Sequence, residues 1–246
     1  AGATALALGA LAPSATTSQP AATPAVTPDL DTDGHLSRLV EDTMATLMVP
    51  GAVVLIRTPQ GEFAAAFGTR VLGQDVPVTL DDHFRIGSNT KTMTGTVLLQ
   101  LVEEGKIALE QPVMTYRPDV PNGDNIAVWQ LLDMTSGLFN YSELLSFNEI
   151  MDREPARAWA PEELVAIGLA EPPYFVPGAG FHYSNTNTIL AGLIIEQLTG
   201  QPLATVFEER LFRPLGLANT TFPAIDDGKL PDPHPHGYLY GTNAST

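Results

Sequence analysis

The apolar positions of this chain change period along its length. Leu36, Leu39, Val40, Thr43, Met44 and Leu47 recur at helical spacing and mark the core face of a first helix, which Met48-Val49-Pro50-Gly51 stops. Residues 52–56, Ala-Val-Val-Leu-Ile, are a β-prone run that is apolar on both faces, as in a strand covered on both sides. Thr58-Pro59-Gln60-Gly61 is a turn, and residues 62–67 read as the returning strand of a hairpin. From residue 88 the period is helical again. Met93, Val97, Leu98, Leu101 and Val102 line one helix, which Glu103-Glu104-Gly105-Lys106 closes, with Gly105 as the residue just beyond its end. Residues 128–134, 161–169, 188–198 and 202–212 read as further helices, and Pro161 with Glu162 and Glu163 is a favourable helix start.

The pattern therefore predicts a mixed α/β (α+β) chain in which a hairpin precedes a long helical region. Two strands do not make a stable sheet alone. Either further strands come from stretches without a clear pattern, or the chain is the N-terminal part of something longer. No internal repeat is present. With 246 residues, 44% of them hydrophobic and 16% charged, the chain can bury a sizeable core. Its formal net charge of −16 argues against nucleic acid as a partner. No run of 18 apolar residues suggests a transmembrane segment. The absence of cysteine removes disulfides, thiolate metal sites and a cysteine nucleophile together, and it fits an exported protein. Residues 1–28 stand apart. Ala5-Leu6-Ala7-Leu8-Gly9-Ala10-Leu11 followed by Pro13-Ser14-Ala15 resembles the end of a signal peptide, and the Thr/Ser/Ala/Pro-rich stretch that follows reads as an extended linker. A plain Ala-rich arm is the rival reading. Residues 29–246 then read as the N-terminal part of the folded domain.

Candidate chemistry centres on Ser88-Asn89-Thr90-Lys91. Three residues apart on a helix, Ser88 and Lys91 share a face, so the amine can take the hydroxyl proton provided burial or a nearby cation holds it neutral. Gly87 permits a tight turn into the helix, and the helix N-terminus lowers the cost of negative charge at Ser88. Ser88 as a mere N-cap is the bland alternative. Tyr183-Ser184-Asn185 downstream offers a second proton carrier, Tyr183, which completes a serine acyl-transfer site without a catalytic histidine. Other signals are weaker. Asp29-Leu30-Asp31-Thr32-Asp33-Gly34 looks like the start of a calcium loop but has Val40 at the twelfth position, so an acidic helix start is the better reading. His234-Pro235-His236 has no third ligand at matching spacing and reads as a surface loop. His182 has no Gly-x-Ser-x-Gly elbow to work with. Trp129 and Trp159 read as packing residues. No metal or other cofactor is expected.

These motifs together resemble the serine penicillin-recognising family, which includes class C-type β-lactamases, DD-peptidases and related esterases. The resemblance runs from about Leu36 to Gly241. It rests on Phe84-Arg85-Ile86-Gly87-Ser88-Asn89-Thr90-Lys91, Thr135-Ser136-Gly137-Leu138, Pro177-Gly178, Tyr183-Ser184-Asn185 and Phe212-Arg213-Pro214-Leu215-Gly216-Leu217. The Tyr-Ser-Asn-Thr-Asn run and His236-Gly237-Tyr238-Leu239 look most like exported D-alanyl-D-alanine carboxypeptidases. The resemblance implies an antiparallel sheet flanked by helices plus a helical domain. It implies Ser88 as nucleophile, Lys91 as its base, Tyr183 as proton shuttle to the leaving group, and Asn185 as donor to the substrate's amide carbonyl. The Ser88 N–H would form half of an oxyanion hole. Substrates would be D-Ala-D-Ala peptides, β-lactams or esters; a non-catalytic binding module is the alternative from another class. Met134 stands where many relatives have His, a position read as structural. The family's third motif, Lys-Thr-Gly or His-Thr-Gly on a strand, has no match after Asn185, so the C-terminal strands are expected to be missing from this chain.

Overall fold

The computed structural model describes residues 28–239 and 241–245; the signal-remnant and linker readings of residues 1–28 thus fall, but for Pro28, outside the described residues. The elements run α1 (His35–Leu47), β1 (Gly51–Thr58), β2 (Gly61–Gly68), α2 (Thr90–Glu103), α3 (Val128–Leu132), α4 (Leu145–Arg153), α5 (Pro161–Ala170), α6 (Asn185–Thr199) and α7 (Leu203–Phe207). A single 3₁₀ turn, Gly87–Asn89, leads into α2, and a π turn, Glu208–Phe212, continues α7. No single helix among the described residues is long and apolar enough to cross a membrane.

The helical region carries the core. Val97, Leu98 and Leu101 of α2, Leu190, Ala191, Ile194 and Ile195 of α6, and Val206 and Phe207 of α7 are fully buried against one another. Each such aliphatic or aromatic side chain contributes about 1.5–3 kcal/mol by leaving water. The end of α2 follows the sequence signal closely. Gly105 takes a left-handed φ of +69°, its N–H bonds to Val102 O, and Lys106 N–H bonds to Leu101 O. That crossed pair satisfies two carbonyls the helix would otherwise leave open. The acidic start of α1 is likewise real. Asp31 accepts the Leu36 and Ser37 N–H groups at 2.6 and 3.0 Å, so its carboxylate caps the helix.

The hairpin departs from expectation in its covering. β1 and β2 pair antiparallel from Gly51 opposite Gly68 to Thr58 opposite Gly61, and the segment at Pro28–Leu30 adds a short parallel bridge along β2 through Leu30 N–H to Glu62 O and Glu62 N–H to Pro28 O. Phe63 of β2 is buried, yet no residue of β1 is, and Leu55 is 57% exposed. On α1 the Leu36, Val40 and Met44 row is half-buried, while Leu39, Thr43 and Leu47 face outward. A two-stranded ribbon offers too little surface to cover a whole helix face or both sides of a strand. The doubly apolar run predicts a covered strand; among the described residues it is an open one. Trp159 packs against Phe147 as expected, whereas Trp129 is 40% exposed.

Between β2 and α2 the chain is pinned by Arg70. Its guanidinium bonds both carboxylate oxygens of Asp82, whose side chain is fully shielded, and Thr79 Oγ1 donates to the same carboxylate at 2.7 Å. The Arg70 hydrogen bonds outweigh burial and hold the Asp82 carboxyl down to about 2. An unfolded aspartate titrates near 3.9, so this stabilisation is complete above about pH 4 and is lost as pH falls through about 2. Asp82→Asn should therefore melt below the wild type at pH 7, and thermal scans from pH 5 to pH 2 should find that gap closing toward pH 2.

Candidate active site

Gly87 sets the geometry of the nucleophile. Its φ of +52° lets an irregular segment, residues 83–86, turn into the 3₁₀ turn that carries Ser88. Ser88 in the 3₁₀ turn and Lys91 in the first turn of α2 are three residues apart on a continuous right-handed path, so their side chains share a face. Asn89 Nδ2 donates to Ile86 O and Thr90 Oγ1 to Gly87 O, at 3.0 and 2.8 Å, locking the turn. Lys91 Nζ then donates to Ser88 Oγ at 3.1 Å and to Asn185 Oδ1 at 2.7 Å. Tyr183 OH lies 2.7 Å from Ser88 Oγ, and Lys91 Nζ lies 4.8 Å from the centre of its ring. Burial pushes the Tyr183 phenol up, but the Lys91 and Ser88 hydrogen bonds and the lysine charge outweigh it, and its pKa falls below the usual phenol value. The structure thus brings together all four residues singled out in the sequence.

Tyr183 and Asn185 are held from behind by a backbone template. The turn at Met134–Gly137 pairs three times with the loop ahead of Tyr183: Tyr174 N–H to Gly137 O, Gly178 N–H to Thr135 O and His182 N–H to Met134 O. Ser184, Thr186 and Asn187, at the start of α6, are fully buried polar residues. Ser184 and Thr186 donate to Phe139 O, and Ser136 Oγ donates to Asn187 Oδ1 at 2.8 Å. Met134 is buried in a left-handed φ of +65°, and its sulfur accepts from Asn187 Nδ2, in keeping with a structural role. A cavity of about 660 Å³ abuts the turn, lined by Phe84, Ile86, Thr90, Met93 and Phe222, but none of the four site residues lines it. Ser88 opens instead onto exposed surface. No group of three or more His, Asp or Glu residues suited to a metal occurs among the described residues.

The Beta-lactamase family model matches residues 36–239. The chain belongs to the Beta-lactamase family. It is 30% identical over 219 residues to esterase EstB of Burkholderia gladioli, covering 82% of this chain and 55% of the esterase. Among solved structures it is similar to a D-stereospecific amidohydrolase from a Streptomyces species, with 38% identity, a TM-score of 0.69, and coverage of 76% of this chain and 55% of the other. It is also similar to the D-amino acid amidase of Ochrobactrum anthropi SV3, with 30% identity, a TM-score of 0.70, and coverage of 80% and 58%. The chain spans between 38% and 55% of the length of the first curated relatives it matches.

In this Beta-lactamase-family chain the fold is the expected mixture of a small antiparallel sheet and helices. Asn185 is more committed than the resemblance implied, because Lys91 occupies its carbonyl oxygen and its amide nitrogen donates to Ser142 Oγ at 2.9 Å. His182 stacks on Tyr174 with ring centres 3.6 Å apart and takes no part at Ser88, so a Ser-His-Asp scheme has no basis here. The residues missed in the sequence are Asn140, Ser142, Glu143 and Tyr174, which back the site from one short turn and one loop. The only signal for the first three is Asn140-Tyr141-Ser142-Glu143 shortly after the Thr-Ser-Gly-Leu marker, and Tyr174 has none. Gly137 is irreplaceable in this template: its φ is +79°, and an added Cβ would lie 2.1 Å from Phe175 O. Gly137→Ala should lose about 1–3 kcal/mol from backbone strain alone. Chemical denaturation should register that loss, and reaction at Ser88 should fall with it as the Tyr183 loop shifts.

Proposed function

We propose that this chain is the acyl-transfer part of a serine hydrolase that cleaves an amide bond following a D-configured residue, with D-Ala-D-Ala peptides among its substrates. The observation that carries this reading is the convergence of Lys91 Nζ and Tyr183 OH on Ser88 Oγ, at 3.1 and 2.7 Å. In this reading Ser88 Oγ attacks the carbonyl carbon and its proton passes to the lone pair of Lys91 as a neutral amine, which still donates an N–H to Asn185 Oδ1. As the C–N bond breaks, the proton is delivered through Tyr183 to the leaving nitrogen. Water then attacks the acyl-enzyme by the reverse relay and frees the acid. The Ser88 N–H supplies one donor to the oxyanion. The preference for D-configured amides is supported by the likeness to the D-stereospecific amidohydrolase and the D-amino acid amidase. The likeness to esterase EstB favours a second reading, in which the scissile bond is an ester and the same four residues act. Export to the cell wall belongs to the first reading and is supported by the small-residue run at positions 5–15.

Treatment with a fluorescent penicillin followed by peptide mapping should find the label on Ser88, and Ser88→Ala should abolish it; label on another serine would sink the assignment. Lys91→Ala should slow acylation by about 10²–10⁴-fold. To separate the two readings, a D-Ala-D-Ala peptide, D- and L-phenylalanine amide, nitrocefin and a short nitrophenyl ester should be compared. Turnover of the D-amide but not the L-amide supports the amidase reading. Turnover confined to the ester supports the esterase, and fast nitrocefin hydrolysis without amide release overturns both in favour of a β-lactamase.

A further inference from the structure

Behind Asn185 runs a chain of hydrogen bonds in which every donor and acceptor is fixed. The Asn185 backbone N–H can only donate, and it meets the Asn140 side chain at 3.0 Å, so the facing atom of Asn140 is its oxygen. The Asn140 amide nitrogen must then point the other way, where it donates to Glu143 Oε1 at 3.1 Å. The Ser142 hydroxyl, 3.0 Å from Asn140 Oδ1, spends its only proton there. It can therefore only accept from Asn185, which turns the Asn185 Nδ2 toward Ser142 and its Oδ1 toward Lys91. The two ends agree. A carboxylate only accepts and a lysine head group donates, so the sequence from Lys91 through Asn185, Ser142 and Asn140 to Glu143 has one possible polarity.

The far end is itself clamped. Tyr174 OH accepts the Asn140 N–H at 3.2 Å and donates to Glu143 Oε2 at 2.7 Å. Burial, reinforced by that carboxylate, pushes the Tyr174 phenol up to about 12, so it stays a donor across the physiological range. Asn140 is only 3% exposed, and Asn148 Nδ2 holds the Ser142 carbonyl at 3.0 Å. Among the described residues, the only Lys, Arg or His nitrogen within 4 Å of a Glu143 carboxylate oxygen is His182 Nε2, at 3.8 Å. Nothing in the apolar packing of α6 requires this string of polar groups. Its side-chain end bears on Lys91: an Asn185 amide left unheld could rotate and present its NH₂ to the lysine.

We propose that Asn140, Ser142 and Glu143 form a one-way hydrogen-bond relay, anchored on the Glu143 carboxylate, that orients Asn185 and thereby positions Lys91 against Ser88. They are positioning residues, not catalytic ones, and the assignment rests on the functional reading above for its kinetic consequence. The test uses the full chain and two readouts. The first is the rate of Ser88 acylation by a fluorescent penicillin. Ser142→Ala should slow it about 10–100-fold with little change in the concentration for half-saturation, while Ser142→Thr keeps the hydroxyl and should stay within about threefold of wild type. In an Asn185→Ala background, adding Ser142→Ala should cost less than about twofold, because the relay then has nothing left to orient. The second readout needs no catalysis. Limited acetylation with a succinimidyl ester, read by peptide mass spectrometry, compares Lys91 with Lys106 and Lys229, the chain's other two lysines. Lys91 labelling should rise several-fold relative to those two in Ser142→Ala and in Glu143→Ala. Losses that multiply in the double variant, or a Lys91 labelling ratio that stays at its wild-type value, would overturn the relay. Should wild-type protein take no label at Ser88, the functional reading fails while the lysine labelling still decides the relay.

Discussion

The hydrogen bond from Lys91 Nζ to Asn185 Oδ1 is the constraint on which the site depends, because it is where two buried helices agree on a register. Lys91 begins a stripe on α2 that continues through Thr94, Leu98 and Leu101, at intervals of three and four residues, all of them buried beyond the lysine. That stripe packs on α6, whose Leu190, Ala191 and Ile194 are fully buried. A slip of one turn between the helices would move Lys91 by about 5.4 Å, twice the length of its bond to Asn185. The apolar seam is dense and non-directional, so it resists separation more than rotation. The polar contact at its end adds direction. Core packing brings α2 and α6 together, and the Lys91–Asn185 bond selects the one arrangement in which Ser88, riding on the 3₁₀ turn, meets Tyr183.

The same division of labour recurs behind α6. Ser136, Asn140, Ser184, Thr186 and Asn187 are polar and buried, an arrangement that destabilises unless every group finds a partner. Here they do, through Phe139 O, the Asn140 and Asn187 side chains and the Met134 sulfur. A satisfied network of this kind tolerates few alternatives, which is why the left-handed Met134 and Gly137 persist in it.

Much of this was legible in the sequence because it follows from local periodicity or short spacing. Ser88 and Lys91 share a face by their separation alone, Gly105 and Gly200 end their helices in the left-handed conformation, and α6 was visible as an apolar run after Tyr183. What could not be read has a common cause: it depends on partners far along the chain. Asn140 and Ser142 are ordinary turn residues until α6, some 45 positions later, supplies Asn185. Helix α4, Leu145–Arg153, is hard to see in the sequence because it is short and buries only Phe147, so it offers few core positions to mark it. The exposure of β1 was misjudged for the opposite reason. A run of Val, Leu and Ile says that a strand can be covered on both faces, not that a covering is at hand.

Burial is distributed unevenly across the site, and that asymmetry bears on how the site can work. Ser88 is exposed and Tyr183 is 41% exposed, whereas Asn140 and Ser184, which fix the frame, are almost wholly buried. Two unit charges 4 Å apart interact by about 1 kcal/mol in water but about 4 kcal/mol near a partly shielded protein surface. Around Ser88 the electric field of Lys91 is therefore weakened by solvent, and charge alone cannot hold three mobile groups together. Directional hydrogen bonds anchored in the dry half of the site can, since their geometry does not depend on the dielectric above them. The reacting atoms stand in the open while their positions are determined underneath, so a substrate that expels water on binding would strengthen the Lys91, Tyr183 and Ser88 interactions without any need for those groups to move.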